Sequence, residues 1–336
     1  MRKRKKVVVI GGGTGTYMVL MGLKKYPLLD LSVIVSMMDD GGSNRVIRDE
    51  FGLLPTSDLR QCMVALASED SDQTLRKLFT YRYNAGTGIS GMTFGNLFMA
   101  ALTDIYKGNQ DKAIEETCEI LGVKGEIIPV TFDKVHLMAK YENGKQVLGE
   151  HDIDEPDPKQ GKYRIIELEV IPKAKVNPKA VRTILNADYI ILGPGDFYTS
   201  ILPNLVIDGV SEAIIKSKAK TVFVLNLMTR FGQTVGFRAS DFIDELEKYT
   251  VGRKLDYCLV NNSSEIPKGI LTRYKKENAE TVKDNIGKKY GETQIIRRNL
   301  ISNKVYEKPK SDKLPRSLIR HDSAKLAKAV MGLIGS

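Results

Sequence analysis

Two short polar segments of this 336-residue chain contain residue types that bind phosphates and divalent cations. Residues 11–15 are Gly-Gly-Gly-Thr-Gly and directly follow an apolar run at 7–10. Asp39 and Asp40 follow a second apolar run, and glycines come directly after them. Glycine lets the backbone approach a phosphate closely, and carboxylate oxygens are ligands that Mg²⁺ prefers. This pattern predicts a site for a phosphate-containing ligand.

Two strand-turn-helix units must position these segments. Residues 7–10 predict a strand, and the apolar periodicity after Gly15 predicts a helix whose first N–H groups attract an anion. The carboxyl ends of neighbouring parallel strands line a common crevice, so Asp39, Asp40 and Ser43 are expected beside the first turn. The spacing does not match the dinucleotide fingerprint, and the lysine of a P-loop is absent from this turn. The ligand class therefore remains open at this point.

Small polar residues follow five predicted strands, at 7–10, 31–38, 189–192, 221–226 and 257–260. Such residues serve turn chemistry, but their recurrence favours a ligand crevice. Residues 84–96 add a further glycine-rich segment that leads into a helix. The candidate ligand-binding residues are Gly12, Gly13, Thr14, Gly15, Asp39, Asp40, Ser43, Asn96, Gly193, Gly195, Asn226, Asn261 and Asn262.

The alternation of strands and helices predicts an α/β fold with a mainly parallel sheet, formed as a single domain over residues 1–336. Within it, short alternating runs and an Asn-Gly turn at 143–144 predict a small β-rich insertion at 125–172. Its acidic residues, Asp154 among them, are expected to mark a solvated turn. Residues 263–320 are polar and basic with poor periodicity, so we expect an excursion outside the core.

The net charge of +10 comes mainly from two peripheral stretches. Residues 2–6 are all basic, and residues 261–320 contain 15 Lys and Arg against 7 Asp and Glu. No nucleic-acid-binding motif accompanies this charge, which disfavours nucleic acid as a partner. The three cysteines are far apart in the sequence, and the three histidines lack metal-ligand spacing. With no apolar run long enough to span a membrane, the expected location is cytoplasmic.

Eight ordered motifs along the chain resemble the CofD-like superfamily, and most closely its bacterial YvcK branch, the gluconeogenesis factors. They are IGGGTG, MDDGGS, LPTSDLRQCMVAL, FGNLFMAAL, LGPGDFYTSILPNLV, LNLMTRFGQTVGFRASDF, VNNSSEIP and the terminal RHD. The resemblance covers nearly the whole chain. It implies a Rossmann-like doubly wound fold with the ligand in the crevice described above.

YvcK-type proteins bind UDP-sugars and are linked to cell shape, cell-wall synthesis and gluconeogenic carbon metabolism. The resemblance thus implies a nucleotide-sugar-binding regulator, with a cell-wall or metabolic enzyme as its partner. The pyrophosphate is then expected over residues 12–14, and Asn226, Asn261 and Asn262 against the sugar, ribose or base. Whether the protein forms a homo-oligomer is left open.

CofD-like chemistry is the alternative that the resemblance implies. A CofD-like enzyme transfers a phospholactyl-type group from a guanylylated donor to a deazaflavin precursor, with magnesium as cofactor. Asp39 or Asp40 would then hold magnesium, and Arg45 or Arg48 would bind the developing charge. Asp40 and Arg48 are the candidate catalytic residues. An NAD-dependent dehydrogenase is a weaker reading because the fingerprint fails.

The chain departs from the usual family motifs at several positions beside the candidate site. Asn44 and Arg45 replace the end of a GGSSG motif, Thr56 and Ser57 lie where PPGD is usual, and Met92 replaces a histidine. These differences indicate that a transferred catalytic role or ligand preference needs a separate test.

Overall fold

The computed structural model describes residues 4–68, 73–266, 268–304 and 318–335. The strands are β1 Lys5–Ile10, β2 Leu29–Val35, β3 Glu126–Pro129, β4 His136–Tyr141, β5 Gln146–Leu148, β6 Ile165–Ile171, β7 Tyr189–Leu192, β8 Lys220–Val224, β9 Tyr257–Asn261, β10 Lys289–Tyr290 and β11 Thr293–Arg298. The α-helices are α1 Gly13–Leu23, α2 Gly42–Phe51, α3 Ser57–Leu66, α4 Gln73–Thr80, α5 Phe94–Ile105, α6 Gln110–Ile120, α7 Glu150–Asp154, α8 Pro178–Leu185, α9 Leu202–Leu205, α10 Val210–Lys216, α11 Ala239–Tyr249, α12 Lys268–Lys276 and α13 Ser323–Ile334. A 3₁₀ turn, Gln160–Lys162, and a π-helical turn, Phe197–Ile201, complete the regular structure of the described residues.

Eight strands form one sheet in the order β10-β11-β9-β8-β7-β1-β2-β3, in which every pair except β10 with β11 is parallel. Both faces of this sheet are buried, as the alternate residues of β1 show: they belong to two different apolar clusters. Val8 and Ile10 lie in one cluster, and Val7 and Val9 lie in the other. A strand buried on both faces reads as a continuous apolar run. This architecture confirms the predicted Rossmann-like α/β fold.

The chain reverses its direction of progress across the sheet between β1 and β7. From β1 it passes outward through β2 to β3, and it later returns on the other side of β1 with β7, β8 and β9. Ligands of open α/β sheets bind at this kind of switch point, beside the carboxyl ends of the strands. The five strands predicted to end in small polar residues are therefore neighbours, and their carboxyl ends lie at one edge.

The small antiparallel sheet has the order β5-β4-β6, and its hairpin turns at Asn143 and Gly144. Gly144 has a φ of 81°, which suits glycine. Of the predicted insertion at 125–172, β3 pairs with β2 in the large sheet, so the small sheet begins only at His136. The short helix α7 lies between β5 and β6 in the chain and contacts the π-helical turn Phe197–Ile201.

Part of the expected basic excursion at 263–320 belongs to the large sheet instead. β11 pairs in parallel with β9, and β10 adds an antiparallel edge. Tyr274 of α12 packs with Ile301 and Ile319 in a separate apolar cluster. Residues 1–3 and 305–317, which contribute to the two basic stretches, lie outside the described residues. None of the helices within the described ranges combines the length and apolar character that a membrane crossing requires.

Candidate ligand-binding site

A cavity of about 910 Å³ opens at the carboxyl ends of the central strands. Its lining includes Gly13, Ser36, Pro194 and Asn226, which follow β1, β2, β7 and β8 respectively. Small-molecule sites typically span about 300–1,000 Å³. The cavity lies where the topology of the sheet predicts a ligand, and it is large enough for a nucleotide with an attached sugar.

Two glycine turns, one before α1 and one after β7, pack against each other at the base of this cavity. Gly13 begins α1 with a φ of 64°, a conformation that favours glycine. A Cβ added to Gly15 would lie 2.3 Å from the Pro194 carbonyl oxygen, so a larger residue would separate the two turns. Gly12 offers no side-chain cap to the first N–H groups of α1. The turn therefore has the backbone geometry of an anion site.

The Asp58 carboxylate restricts where a phosphate can lie on this turn. A Cβ added to Gly12 would be only 2.0 Å from Asp58 Oδ2, so the carboxylate covers that residue. Residues 13–15 line the cavity, whereas Gly12 does not. A phosphate consequently has access to the first turn of α1 beyond Gly12.

Asp39 and Asp40 are adjacent in sequence but contact different groups. Asp39 lines the cavity and accepts hydrogen bonds from the Gly41 amide at 3.0 Å and from Asn44 Nδ2 at 2.6 Å. Asp40 is outside the lining and accepts hydrogen bonds from Arg48 Nη1 at 3.2 Å and the His151 amide at 2.8 Å. Asp40 and Arg48 thus connect α2 to the start of α7. Of the two aspartates, only Asp39 lines the cavity.

Asn96 lies in the first turn of α5, fully buried beneath the cavity wall. Its Oδ1 accepts a hydrogen bond from Arg60 Nε at 3.0 Å, and its Nδ2 donates to Asn44 Oδ1 at 3.1 Å. Ser57 Oγ donates to the same Asn44 oxygen at 2.9 Å. Two of the departures from the family motifs, Asn44 and Ser57, are therefore in direct contact, and through Asn44 they fix the orientation of Asp39. Met92, a third departure, is buried in a small apolar cluster.

The three asparagines at the ends of β8 and β9 separate into two groups. Asn226 lines the cavity and donates from Nδ2 to the Gly195 carbonyl oxygen at 2.7 Å. Asn261 binds the chain itself, because its Oδ1 accepts from the Leu300 amide at 2.9 Å. Asn262 is exposed and outside the lining. β9 pairs with β11 on the side away from β8. The carboxyl end of β9 therefore contacts the segment that follows β11 and does not line the cavity.

An arginine between two carboxylates lies in the cavity wall; it belongs to a family motif, but no residue spacing in the sequence singled it out as a site residue. Arg230 Nη2 donates to Asp154 Oδ2 at 2.5 Å, and Nη1 lies 3.8 Å from Asp196 Oδ1. Gln233 Nε2 donates to Asp154 Oδ1 at 2.8 Å. The expectation of a solvated turn holds for Asp152, Glu155 and Asp157, which are exposed, but not for Asp154, which lies in α7 paired with Arg230 and has a side chain only 20% exposed. Burial raises the pKa of this carboxyl to about 6, although Arg230 opposes the rise. Asp154 and Arg230 are 76 residues apart in sequence, too far for a spacing motif.

Glu150, at the start of α7, was also missed by sequence reasoning. Burial raises the pKa of its carboxyl well above the usual range, and the negative charges of Asp39, Asp154 and Asp58 raise it further. Both effects favour the neutral acid. A protonated Glu150 could donate a hydrogen bond to a ligand oxygen, which an ionised carboxylate cannot do.

The cavity thus contains about half of the predicted ligand-binding residues. Those in the lining are Gly13, Thr14, Gly15, Asp39, Ser43, Gly195 and Asn226. Those outside it are Gly12, Asp40, Asn96, Gly193, Asn261 and Asn262, together with the candidate catalytic residue Arg48.

The donor set around Asp39 was compared with the requirements of magnesium. Within the described residues, no group of three or more His, Cys, Asp or Glu side chains is arranged to hold a metal ion. Mg²⁺ is commonly bound by one or two carboxylates together with the phosphates of a substrate. Asp39 fits that mode because it lines the same cavity as residues 13–15. Asp40 does not, since its oxygens contact Arg48 and the His151 amide.

A doubly wound sheet with a glycine-rich turn at its switch point, here residues 11–15, is characteristic of the class of Rossmann-like α/β proteins. A family model described as 2-phospho-L-lactate transferase CofD matches residues 7–301, and the chain belongs to this family. The match confirms the resemblance drawn from the sequence motifs.

The relatives of this chain are gluconeogenesis factors, which confirms the YvcK-type resemblance. The gluconeogenesis factor of Bacillus subtilis is 34% identical over 335 residues, and the alignment covers 99% of both chains. That of Halalkalibacterium halodurans is 38% identical over 281 residues, covering 83% of this chain and 84% of the relative. A crystal structure of a Bacillus halodurans protein has a TM-score of 0.87 at 34% identity, covering 98% of this chain and 100% of that chain.

Proposed function

We propose that this protein binds a UDP-sugar in the 910 Å³ cavity and acts as a regulator of cell-wall synthesis, cell shape and gluconeogenic carbon metabolism. The observation that carries the proposal is the first turn of α1, whose residues 13–15 face a cavity of nucleotide-sugar size. The gluconeogenesis factors among its relatives support the link to carbon metabolism.

The diphosphate is expected against residues 13–15 and Gly195. The cavity wall is rich in carboxylates, and Arg230 is already paired with Asp154 and Asp196. The N–H groups of α1 supply positive potential at the glycine turn itself. Further cationic side chains line the cavity, namely Arg60, Arg82, Lys162, Lys276 and Arg320. Asp39 is the residue that would hold a magnesium ion, and such an ion would offset phosphate charge when bound.

Ligand-dependent stabilisation tests this proposal. We expect UDP-N-acetylglucosamine or UDP-glucose to raise the unfolding midpoint, because a ligand that binds only the folded state stabilises it by mass action. GDP, GTP, NAD and NADP, each with and without magnesium, complete the panel. The UDP-sugar should be recovered unchanged after incubation, and its hydrolysis or transfer would contradict a purely regulatory role.

Two asparagine variants provide a matched comparison for binding at the cavity. Asn226→Ala removes a lining side chain, and we expect it to weaken UDP-sugar binding at least tenfold in isothermal titration calorimetry. Asn262→Ala changes an exposed side chain outside the lining and should bind normally. Equal affinities of the two variants would place the ligand elsewhere.

A CofD-like transferase is the second candidate, because the matching family model carries that description. In such a reaction an acceptor hydroxyl attacks the phosphoanhydride, the nucleotide leaves, and the hydroxyl proton is released. Stabilisation by guanine nucleotides only in the presence of magnesium would favour this candidate. Asp39→Asn should then abolish the magnesium effect, whereas Arg48 is outside the lining and paired with Asp40 and Asp49, so it is not expected to bind the developing charge.

A further inference from the structure

Phe231 is an accessible aromatic residue in the wall of the cavity. Among the described residues that line the cavity, three are Phe or Tyr. Phe197 and Tyr274 are only 1% and 7% exposed, whereas Phe231 is partly exposed. Within the described ranges, Phe231 also belongs to none of the four apolar clusters. Core packing therefore does not account for an aromatic residue at this position.

The Phe231 ring lies against the backbone of Gly161, in the 3₁₀ turn Gln160–Lys162. A Cβ added to Gly161 would be 2.4 Å from Phe231 Cε1 and 2.6 Å from Cζ, so this contact requires a glycine. The next residue, Gly232, makes a similar approach, because a Cβ there would be 2.2 Å from Pro156 Cγ. These contacts join the segment after β8 to the segment between α7 and β6, and they hold one edge of the ring in place.

The same two segments contribute further apolar residues to the lining. Pro156 and Pro158 precede Gly161 in the chain, and Val235 follows Phe231 closely; all but Gly161 line the cavity and are at least partly exposed. Ligand pockets commonly combine such apolar walls with a few polar groups. A nucleobase has a flat, uncharged face that suits an accessible aromatic ring, whereas a diphosphate does not. The wall around Phe231 thus matches the base of a nucleotide better than its phosphates.

The distance of Phe231 from the glycine turn before α1 is also suitable for a base. A Cβ added to Gly195 would lie 3.1 Å from the Gly12 carbonyl oxygen, so Gly195 is in contact with that turn. Asp196 follows Gly195, and Arg230 Nη1 lies 3.8 Å from Asp196 Oδ1. Phe231 is therefore one arginine side chain beyond the residue next to the turn. In a nucleotide the ribose separates the base from the phosphates, and this spacing leaves room for it.

We propose that the nucleobase of the ligand stacks on Phe231, in a base subsite formed by the segment after β8 and the segment between α7 and β6. This inference rests on the proposed nucleotide-sugar binding and deepens it by locating the base. Asn261 and Asn262, which the sequence suggested as contacts of the sugar, ribose or base, lie outside the lining.

A tryptophan at position 231 gives a direct test, because the chain contains no other tryptophan. A base stacked on the indole of Phe231→Trp should quench its fluorescence. UMP and UDP-glucose are therefore expected to quench, whereas glucose 1-phosphate, which has no base, should leave the emission unchanged. Phe132→Trp is the matched control, since Phe132 is 36% exposed and outside the lining. Its emission should respond to none of the three compounds.

Two further variants separate stacking from packing. Phe231→Leu keeps an apolar side chain against Gly161 but removes the aromatic face, and it should weaken UDP-glucose binding at least about fivefold in calorimetry. Phe231→Tyr retains the ring and should bind UDP-glucose nearly as well as wild type. Inorganic pyrophosphate lacks a base, so its affinity should be the same for both variants and the wild type. Melting curves without ligand verify that both variants are folded.

The outcomes separate this inference from the proposed function. Quenching of Phe231→Trp by glucose 1-phosphate but not by UMP would place the sugar at Phe231 and overturn the base subsite. Equal losses of UDP-glucose and pyrophosphate binding in Phe231→Leu would assign the ring a packing role only. Either result leaves UDP-sugar binding by the wild type intact. Failure of every UDP-sugar to bind the wild type would instead refute the proposed function, and this inference with it.

Discussion

Neighbouring residues of the same type have different roles in this protein because their side chains face different groups. Asp39 faces the cavity, and Asp40 contacts Arg48 and a backbone amide of α7. Asp40 is 7% exposed, so its hydrogen bonds are shielded from water. The charge on Asp40 is therefore expected to matter more for stability than for ligand binding.

Asp40→Ala should lower the free energy of unfolding by about 1–3 kcal/mol, because it leaves the His151 amide without its acceptor. Asp49→Ala is a suitable control, since Asp49 pairs with the same Arg48 but has a side chain that is 53% exposed. That variant should change stability by less than about 0.5 kcal/mol. Urea unfolding followed by circular dichroism measures both, and equal effects would contradict the structural role of Asp40.

His321 should make stability depend on pH in the acid range. Burial lowers the pKa of the imidazole to about 4 from an ordinary value of 6.5. Below pH 6.5 the unfolded chain gains a proton that the folded chain does not, so stability falls as the pH drops toward 4. The full loss is about 3 kcal/mol.

The difference between wild type and His321→Asn isolates this effect, because other titrating groups largely cancel. Asp154 is one such group, and its effect on stability has the opposite sign. Its pKa is raised to about 6, so its contribution to the free energy of unfolding falls as the pH rises toward 6. The stability advantage of wild type over the variant should shrink between pH 6.5 and 4. A constant difference across that range would mean that His321 is not held neutral.

At the scale of elements, the site depends on how closely the first turn of α1 approaches the turn after β7. The contact between Gly15 and Pro194 brings the carboxyl ends of β1 and β7 together. Hydrogen bonds among Asn44, Ser57 and Asn96 likewise join α2, α3 and α5 behind Asp39. The cavity is thus a product of helix ends packed around two strands.

Gly15→Ala should destabilise the fold by about 1–3 kcal/mol, because the added methyl group overlaps the Pro194 carbonyl. The displaced turn should also weaken UDP-sugar binding at least tenfold. Gly332→Ala in α13 is the matched control, since a Cβ there meets nothing within 4 Å. It should stabilise the helix by about 0.5 kcal/mol and leave binding unchanged. Similar behaviour of the two variants in calorimetry and urea unfolding would refute the close-packing argument.

At the scale of the whole molecule, the small sheet contributes one wall of the cavity. Its helix α7 supplies Glu150 and Asp154, and the segment after β8 supplies Arg230 and Gln233. The ion pair between Asp154 and Arg230 therefore connects α7, beside the small sheet, to the segment that follows β8 of the large sheet.

A double-mutant cycle with Asp154→Ala and Arg230→Ala should give a coupling energy of about 1–3 kcal/mol, because both side chains are largely buried. The exposed helical pair Lys112 and Glu116 provides the reference, with a much smaller expected coupling because water and salt screen exposed charges. Chemical unfolding of the seven proteins, wild type being common to the two cycles, provides both values. Equal couplings would indicate that the two sheets are not joined through this pair.

Local sequence determined the strands of the large sheet and the glycine-rich turn at residues 11–15. The apolar β-branched run at 7–10 can form a strand buried on both faces, and glycines at 11–13 can form the turn that follows it. The same local rules predicted the strands that end at Gly193 and Asn226, and with them seven residues of the cavity lining. The family motifs lie in these same segments, which is why the resemblance was visible in the sequence.

Only the tertiary structure decided which polar side chains face the ligand. Asp39 and Asp40 have the same local signature, and the choice between them depends on Arg48 and on α7, which lies more than 100 residues away. Asn261 has the same strand-end position as Asn226, yet its strand is flanked by β11 rather than by the crevice. Glu150 and His321 reach the cavity through long-range packing, and hydrogen bonding and burial between distant segments leave no periodic pattern in the chain.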